Sequence, residues 1–353
     1  MDKAIKECLL FENNTVKDAV KILDEKEVKS VFIVDENNIL EGIFTRGDLR
    51  QFILNGGDFE MKISSAMNTS PVTFYSAEDA RIYSQNKRRI VYPIINKKRQ
   101  LIDVLYNTWD VIAEASESQC LEKVPVVIMA GGLGTRLYPL TKVLPKALIP
   151  IGDYTITERI INNFRAWGCK EFYLVLNHKS EMIKAYFDDL DKDYNVYYVK
   201  EKEFLGTGGG LCLLKNMVKS TFILSNCDVL VNADFDCVMK THEMNKNVIT
   251  FVGAVKNIVI PYGVIDSNIS GEIVELKEKP EISFLTNTGV YVIEPEVINN
   301  LNDNEFCHIT DIAMNYKKMN RNIGVFPITE NAWLDMGQFD EMKQMIKALG
   351  IEE

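Results

Sequence analysis

A chain of 353 residues is long for one compact core, which points to two or three domains. Its 46% hydrophobic and 25% charged residues describe a soluble globular protein, and no apolar run approaches the length of a membrane span. A formal charge of −10 excludes a general nucleic-acid binder, which needs Lys and Arg to neutralise phosphates, but still allows a nucleotide substrate held by a few local cations and a metal.

The chain opens Met1-Asp2-Lys3-Ala4-Ile5-Lys6, with neither an apolar signal core nor an Arg-rich transit pattern, so the expected location is cytoplasmic. Cys8, Cys120, Cys169, Cys212, Cys227, Cys237 and Cys307 are scattered, without C-x-x-C or matching histidine spacing. That pattern suggests reduced, mostly buried thiols rather than a disulfide framework or a zinc site.

Sliding the chain against itself by about 61 positions reveals a weak repeat in its first third. Thr15-Val16-Lys17-Asp18 lies over Ser76-Ala77-Glu78-Asp79; each reads as a capping box opening a helix. Val31-Phe32-Ile33-Val34-Asp35 lies over Tyr92-Pro93-Ile94-Ile95-Asn96, short buried strands that end in a polar turn. Allowing one inserted residue, Gly42 to Leu49 (GIFTRGDL) then lies over Val104 to Val111 (VLYNTWDV), each reading strand, turn, helix.

This order resembles a tandem CBS-domain pair, a Bateman-type α/β module, over residues 1–118, with one repeat in 1–60 and the other in 61–118. The resemblance implies an adenine nucleotide in the cleft between repeats. Thr45 and Asp48, with Asn107 and Asp110 in the second copy, would then meet its ribose; the Asn in place of Thr departs from the usual pattern. The alternative reading is that these residues only cap the helices that follow. Lys87-Arg88-Arg89 and Lys97-Lys98-Arg99 are either phosphate contacts or solvated faces. CBS pairs often associate back to back, so the resemblance also implies a homo-oligomer. Glu114 to Lys123 (EASESQCLEK) breaks the apolar pattern as a linker does, placing the boundary at 119–123.

Val124 to Ala130 is a continuous apolar run, as in a strand buried on both faces of a mainly parallel sheet. It runs into Gly131-Gly132-Leu133-Gly134-Thr135-Arg136, where glycines at the end of a strand allow a tight turn that aims several N–H groups at one anion. No G-K-[ST] follows, and Leu137 stands where the third glycine of a dinucleotide fingerprint belongs. Ile223-Leu224-Ser225-Asn226-Cys227-Asp228 is a second apolar strand, ending in an acid where α/β sheets collect ligands.

The glycine turn continues through Leu137 to Ile151, with Lys146 in Pro145-Lys146-Ala147, and this whole resembles the signature of sugar-1-phosphate nucleotidyltransferases. Later landmarks follow in that family's order over about residues 124–340, within a nucleotidyltransferase domain expected at 124–353. The implied fold is a Rossmann-like mixed, mainly parallel sheet. The implied reaction takes an NTP and a sugar 1-phosphate to NDP-sugar and pyrophosphate.

By this resemblance Ala130, Gly131, Gly132, Gly134, Thr135 and Arg136 hold the NTP phosphates, and Glu203, Gly206 and Thr207, in a segment whose glycines permit flat contact, approach the base. Lys146 bridges towards the α-phosphate and the sugar phosphate. Asp228 and Asp335, the latter in Trp333-Leu334-Asp335-Met336-Gly337, bind Mg2+, which takes one or two carboxylates with phosphate and water. Tyr262, Gly263, Glu278, Lys279 and Asn287 face the sugar phosphate. The plainer alternatives are an exposed ion pair for Glu278 and Lys279 and a turn role for Asn287.

A CBS pair ahead of such a transferase, with the S-N-C-D form of the second strand, resembles the guanylyltransferases of bacterial legionaminic acid pathways. That implies GTP and glucosamine 1-phosphate. Mannose-1-phosphate guanylyl transfer, or uridylyl or thymidylyl transfer to a hexose phosphate, are the alternatives. A catalytically silent nucleotide sensor is a further alternative of another class, opposed by the retention of Arg136, Lys146, Asp228 and Asp335.

Overall fold

The computed structural model describes residues 3–25, 28, 30–84, 91–106 and 120–351. The chain divides into two compact units, each assembled from separated stretches. The first comprises Met1–Thr108, Ala254–Thr286 and Pro327–Asn331; the second comprises Trp109–Gly253, Asn287–Phe326 and Ala332–Glu353. Within the expected 124–353 segment, two stretches thus group with the N-terminal third.

In the first unit the repeat is visible as geometry. Asp18 closes the first expected capping box, with Asp18 N donating to Thr15 Oγ1 (3.2 Å) and Thr15 N to Asp18 Oδ2 (2.8 Å), while the second shows the N-cap half alone, Asp79 N donating to Ser76 Oγ (3.1 Å) and Ser76 Oγ to Asp79 Oδ2 (2.7 Å). Ser30–Val34 pairs antiparallel with Leu40–Thr45, as Val91–Ile95 does with Leu101–Tyr106. The register slips at Ile33/Val34 in one hairpin and at Ile94/Ile95 in the other. Asp35 and Asn96 organise the two turns alike, and Asn38 and Arg99 both take left-handed backbone (φ 63° and 62°). The hairpins meet through Leu40 N to Arg99 O (3.0 Å) and Leu101 N to Asn38 O (3.1 Å).

This shared register corrects the expected alignment. Ser30 faces Thr45 and Val91 faces Tyr106, so no residue is inserted within the second hairpin and Tyr106, rather than Asn107, corresponds to Thr45. Asn107, Asp110, Lys87-Arg88-Arg89 and most of the linker lie outside the described residues.

The first unit has two hydrophobic centres. One gathers Phe32, Val34, Leu40, Ile43, Ile95 and Leu101 of the two hairpins. The other gathers Val16, Val20 and Leu23 of the helix Val16–Glu25 with Val31, Phe44 and Leu49, and it includes Val255 from the distant stretch 254–286. That stretch also carries a hairpin, Val264–Ser267 with Ile273–Lys277, whose residues are almost all exposed. Opposed pairs make one of its faces apolar (Ile265 with Leu276) and the other acidic (Asp266 with Glu275).

The seven-stranded sheet runs in the order 195–200, 171–176, 126–129, 222–226, 281–293, 249–259, 323–328. Its first four strands are parallel, and the strand 281–293 joins antiparallel to 222–226. Val127, Leu224, Tyr173 and Val175 pack one face onto Ile309, Ile312 and Tyr316 of a covering helix. The expected mixed, mainly parallel sheet is therefore present, and its central strands 126–129 and 222–226 end side by side, Met129 opposite Asn226.

Candidate active site

Both central strands deliver functional groups at their carboxyl ends, where unpaired backbone and incoming loops leave space for a ligand. After Met129 the chain turns through Gly134, which takes left-handed backbone (φ 64°), and a Cβ there would lie 2.9 Å from Thr141 Cγ2 and 3.1 Å from Lys146 Cβ. Only glycine lets the loop close so tightly on the stretch that carries Lys146. Thr141 Oγ1 donates to Gly134 O (2.8 Å) and fixes the turn, whereas a Cβ on Gly132 would meet nothing within 4 Å. The loop thus has a packed back and an open front.

Lys146 is buried and forms an ion pair with Asp228. Val229–Val231 pairs antiparallel with Trp333–Asp335, Val229 opposite Asp335, and Met336 N donates to Asp228 O (2.8 Å). Two short strands therefore clamp Asp228 and Asp335 together although they lie 107 positions apart in sequence. Burial holds the Asp335 carboxyl above its usual range and the Asp228 charge adds to this, against Lys146, the Gly337 N–H and Arg136. A Cβ on Gly337 would lie 3.2 Å from both Asp335 oxygens and 3.5 Å from Arg136 Nη1. Arg136, Lys146, Asp228 and Asp335 thus form one cluster.

Asp335 Oδ1 is buried without a hydrogen-bond partner among the described residues. Two adjoining carboxylates, one with a vacant oxygen, suit a hard divalent cation that completes its shell with phosphate and water. The donor set therefore fits magnesium held by Asp228 and Asp335. Among the described residues no group of three or more His, Cys, Asp or Glu forms a denser metal cage.

The base-side segment behaves differently from the expectation. Its glycines are required by the protein chain itself: a Cβ on Gly206 would lie 2.5 Å from Cys307 O, and one on Gly209 2.3 Å from Glu305 O. Thr207 Oγ1 accepts from Ile309 N (3.3 Å). Glu203 is exposed, while Glu201, which sequence reasoning passed over, is only 3% exposed. Its carboxyl group lies against the phosphate loop: a Cβ on Gly131 would be 2.8 Å from Oε2, and one on Gly210 2.3 Å from Oε1. Oε1 has no hydrogen-bond partner among the described residues, and burial pushes the carboxyl up to about 7, slightly offset by the Leu205 backbone. Asn177, whose Cβ is 3.1 Å from the same Gly131 position, has an unpartnered buried Nδ2 among the described residues.

Asn287 is engaged internally, donating to Tyr291 OH (2.8 Å) and accepting from Gly289 N (3.1 Å). Tyr262, Gly263, Glu278 and Lys279 belong to the first unit, where all four are exposed and Glu278 Oε2 lies 3.1 Å from a Cβ placed on Gly263. Thr45 and Asp48 form a capping box for the helix Arg46–Leu54, with Thr45 Oγ1 donating to Asp48 Oδ2 (2.6 Å). A cavity of about 430 Å3 in the same unit is bordered by Glu12, Glu41, Met67 and Arg99, not by Thr45 or Asp48.

Residues 125–350 match the nucleotidyl transferase family model. The chain belongs to the nucleotidyl transferase family. Residues 7–55 match the CBS domain model, so the family's catalytic fold here follows an N-terminal CBS domain. The chain is 30% identical over 213 residues to D-glycero-alpha-D-manno-heptose 1-phosphate guanylyltransferase of Campylobacter jejuni, covering 60% of this chain and 93% of that one. It is 33% identical over 175 residues to the bifunctional protein GlmU of Methanococcus aeolicus, but those span 49% of this chain and only 41% of GlmU. The fold resembles the crystal structure of HddC from Yersinia pseudotuberculosis, with a TM-score of 0.51 and 23% identity over 64% of this chain and 99% of that one. No helix among the described residues is long and apolar enough to cross a membrane.

Proposed function

We propose that this transferase uses magnesium to move a guanylyl group from GTP to a sugar 1-phosphate, glucosamine 1-phosphate in first place, releasing pyrophosphate. The observation that carries the reading is the cluster of Arg136, Lys146, Asp228 and Asp335 beside a glycine loop with an open front. A sugar-phosphate oxygen attacks the α-phosphorus, a new P–O bond forms, and the bond to the β-phosphate breaks with its electron pair leaving on pyrophosphate. No protein nucleophile is needed, so the chain's task is to position two polyanions and stabilise the charge that develops between them.

The loop N–H groups and Arg136 hold the β- and γ-phosphates, and Lys146 reaches towards the α-phosphate and the sugar phosphate. Magnesium on Asp228 and Asp335 would supply charge neutralisation at the α-phosphate. Glu201 favours guanine. That base offers N1–H and N2–H donors side by side to one carboxylate, while uracil and thymine offer a single N–H between two carbonyls, which a carboxylate repels. The choice of glucosamine 1-phosphate, as in legionaminic acid biosynthesis, rests on the CBS pair and the S-N-C-D strand. An adenine nucleotide on the CBS half, and a homo-oligomer built through it, complete the proposal.

The test is a grid of four NTPs against glucosamine, mannose and glucose 1-phosphates with magnesium, read by pyrophosphate release. The largest kcat/KM is expected with GTP and glucosamine 1-phosphate. A preference for UTP or dTTP would overturn the base, a preference for mannose 1-phosphate the sugar, and absence of turnover throughout the activity itself. Added AMP or ATP is expected to change turnover; no calorimetric binding and no kinetic effect would remove the regulatory role.

A further inference from the structure

The stretch 254–286, which carries Tyr262, Gly263, Glu278 and Lys279, has no core of its own. Its hairpin is exposed, and an isolated two-stranded hairpin is marginal in water. Its two ends continue the neighbouring sheet strands 249–259 and 281–293, and its apolar residues pack on the first CBS repeat. Val255 at one end is fully buried among Val16, Val20, Leu23, Val31 and Phe44, and Leu285 at the other end packs on the same cluster. Ile260 N donates to Pro280 O (2.9 Å) and closes the neck of the arm.

Beside that neck, Lys17 Nζ donates to the backbone oxygen of Glu281 (2.7 Å) and to Glu60 Oε1 (3.0 Å), with Glu281 Oε2 at 4.0 Å. The Lys17 side chain is largely buried. Its ammonium therefore joins two parts of the repeat to the chain two residues beyond Lys279. A charged donor on a backbone carbonyl is among the stronger hydrogen bonds, and here it fixes where the strand leaves the turn at Glu278 and Lys279.

We propose that Lys17 is a positioning residue for the acceptor: the CBS repeat, through Lys17, sets the placement of the arm that binds the sugar phosphate. This rests on the reading of Tyr262, Glu278 and Lys279 as the acceptor side. Lys17 touches no reacting atom, so its loss alters acceptor affinity and leaves the donor site alone.

The experiment is steady-state kinetics on the full chain with GTP and glucosamine 1-phosphate, or mannose 1-phosphate should the grid select it. Lys17→Met, which keeps the apolar stem, is expected to raise the KM for the sugar phosphate roughly tenfold while kcat and the KM for GTP stay within about twofold. Lys17→Arg is expected to restore most of the loss. An unchanged sugar-phosphate KM in Lys17→Met, or an equal rise in both KM values with a lowered Tm, would overturn the proposal. If Lys17→Met does not fold, Glu60→Gln, which removes the exposed negative charge facing the ammonium, should raise the same KM roughly two- to threefold; no rise counts against it. Turnover by the unaltered chain separates the outcomes, since an inactive chain refutes the functional reading and an active one with an unmoved KM refutes only the role of Lys17.

Discussion

The donor groups and the acceptor arm are built in opposite ways. Asp228 follows a buried parallel strand, Asp335 is held beside it by a short antiparallel pair, and Lys146 and Glu201 are buried, all within one unit that also carries Arg136. Tyr262, Glu278 and Lys279 are exposed on an arm whose anchoring residues sit in the hydrophobic core of a different kind of domain. On the roles proposed above, chemistry that must be preorganised lies on the rigid element, and recognition of the second substrate lies where another module can adjust it. Turnover and acceptor affinity should then respond to separate sets of substitutions.

The largest expected effect is at Asp228. Asp228→Ala should lower turnover by roughly a thousandfold or more, measured as pyrophosphate release, while circular dichroism remains that of the folded protein. Near-normal release would end the assignment of this cluster. Next comes Glu201→Gln, expected to cost roughly ten- to a hundredfold in kcat/KM for GTP and to narrow the gap between GTP and UTP.

The same variant checks the pH dependence. With its carboxyl raised to about 7, Glu201 is mostly protonated below that pH and ionised above it. The advantage of the unaltered chain over Glu201→Gln with GTP should therefore grow from pH 6 to 8. A ratio that stays flat would detach Glu201 from the base.

Two smaller effects probe the other side of the comparison. Asp24 is 9% exposed, neither of its carboxyl oxygens has a hydrogen-bond partner among the described residues, and Asn331 Nδ2 donates to its backbone oxygen (2.6 Å). Burial pushes this carboxyl up to about 6, with Arg46 opposing and the Glu330 charge adding. The native state then holds its proton more tightly than the unfolded chain, so this group's contribution to stability falls as pH rises from about 4 to 6. Asp24→Asn should abolish that fall, so its gain in urea midpoint over the unaltered chain should be larger at pH 7 than at pH 4.5. Thr45→Ala, which removes a helix cap, should cost about 1 kcal/mol in urea unfolding. A change in the KM for GTP from either variant would break the separation of the two sides.

What the sequence made legible was local. The capping box at Thr15/Asp18, the N-cap at Ser76 and the strand within Val124 to Ala130 announce themselves by short-range pattern, and each forms. Register is a pairwise property, so the one-residue insertion that aligned Thr45 with Asn107 looked acceptable until the slips at Ile33 and Ile94 fixed the offset. Glu201 was missed because Lys200-Glu201-Lys202-Glu203 reads as a solvated charge run. Its one available signal was its place directly after an apolar-aromatic strand, Asn195–Lys200. The glycines of 206–209 were visible but their reason was not, since Cys307 and Glu305 are about a hundred residues away. The seating of 254–286 in the first repeat leaves no local trace at all.

That interleaved connectivity bears on how the protein can be dissected. Cutting at the linker and producing 124–353 alone would remove Val16, Val20, Leu23 and Phe44 from around Val255, leaving a fully buried valine and its neighbour Leu285 facing water next to an already apolar hairpin face. Such a fragment would carry every residue of the nucleotide cluster and yet expose apolar side chains that the full chain buries. The N-terminal domain thus covers apolar residues of the stretch 254–286, and the fragment is expected to be less soluble than the full chain.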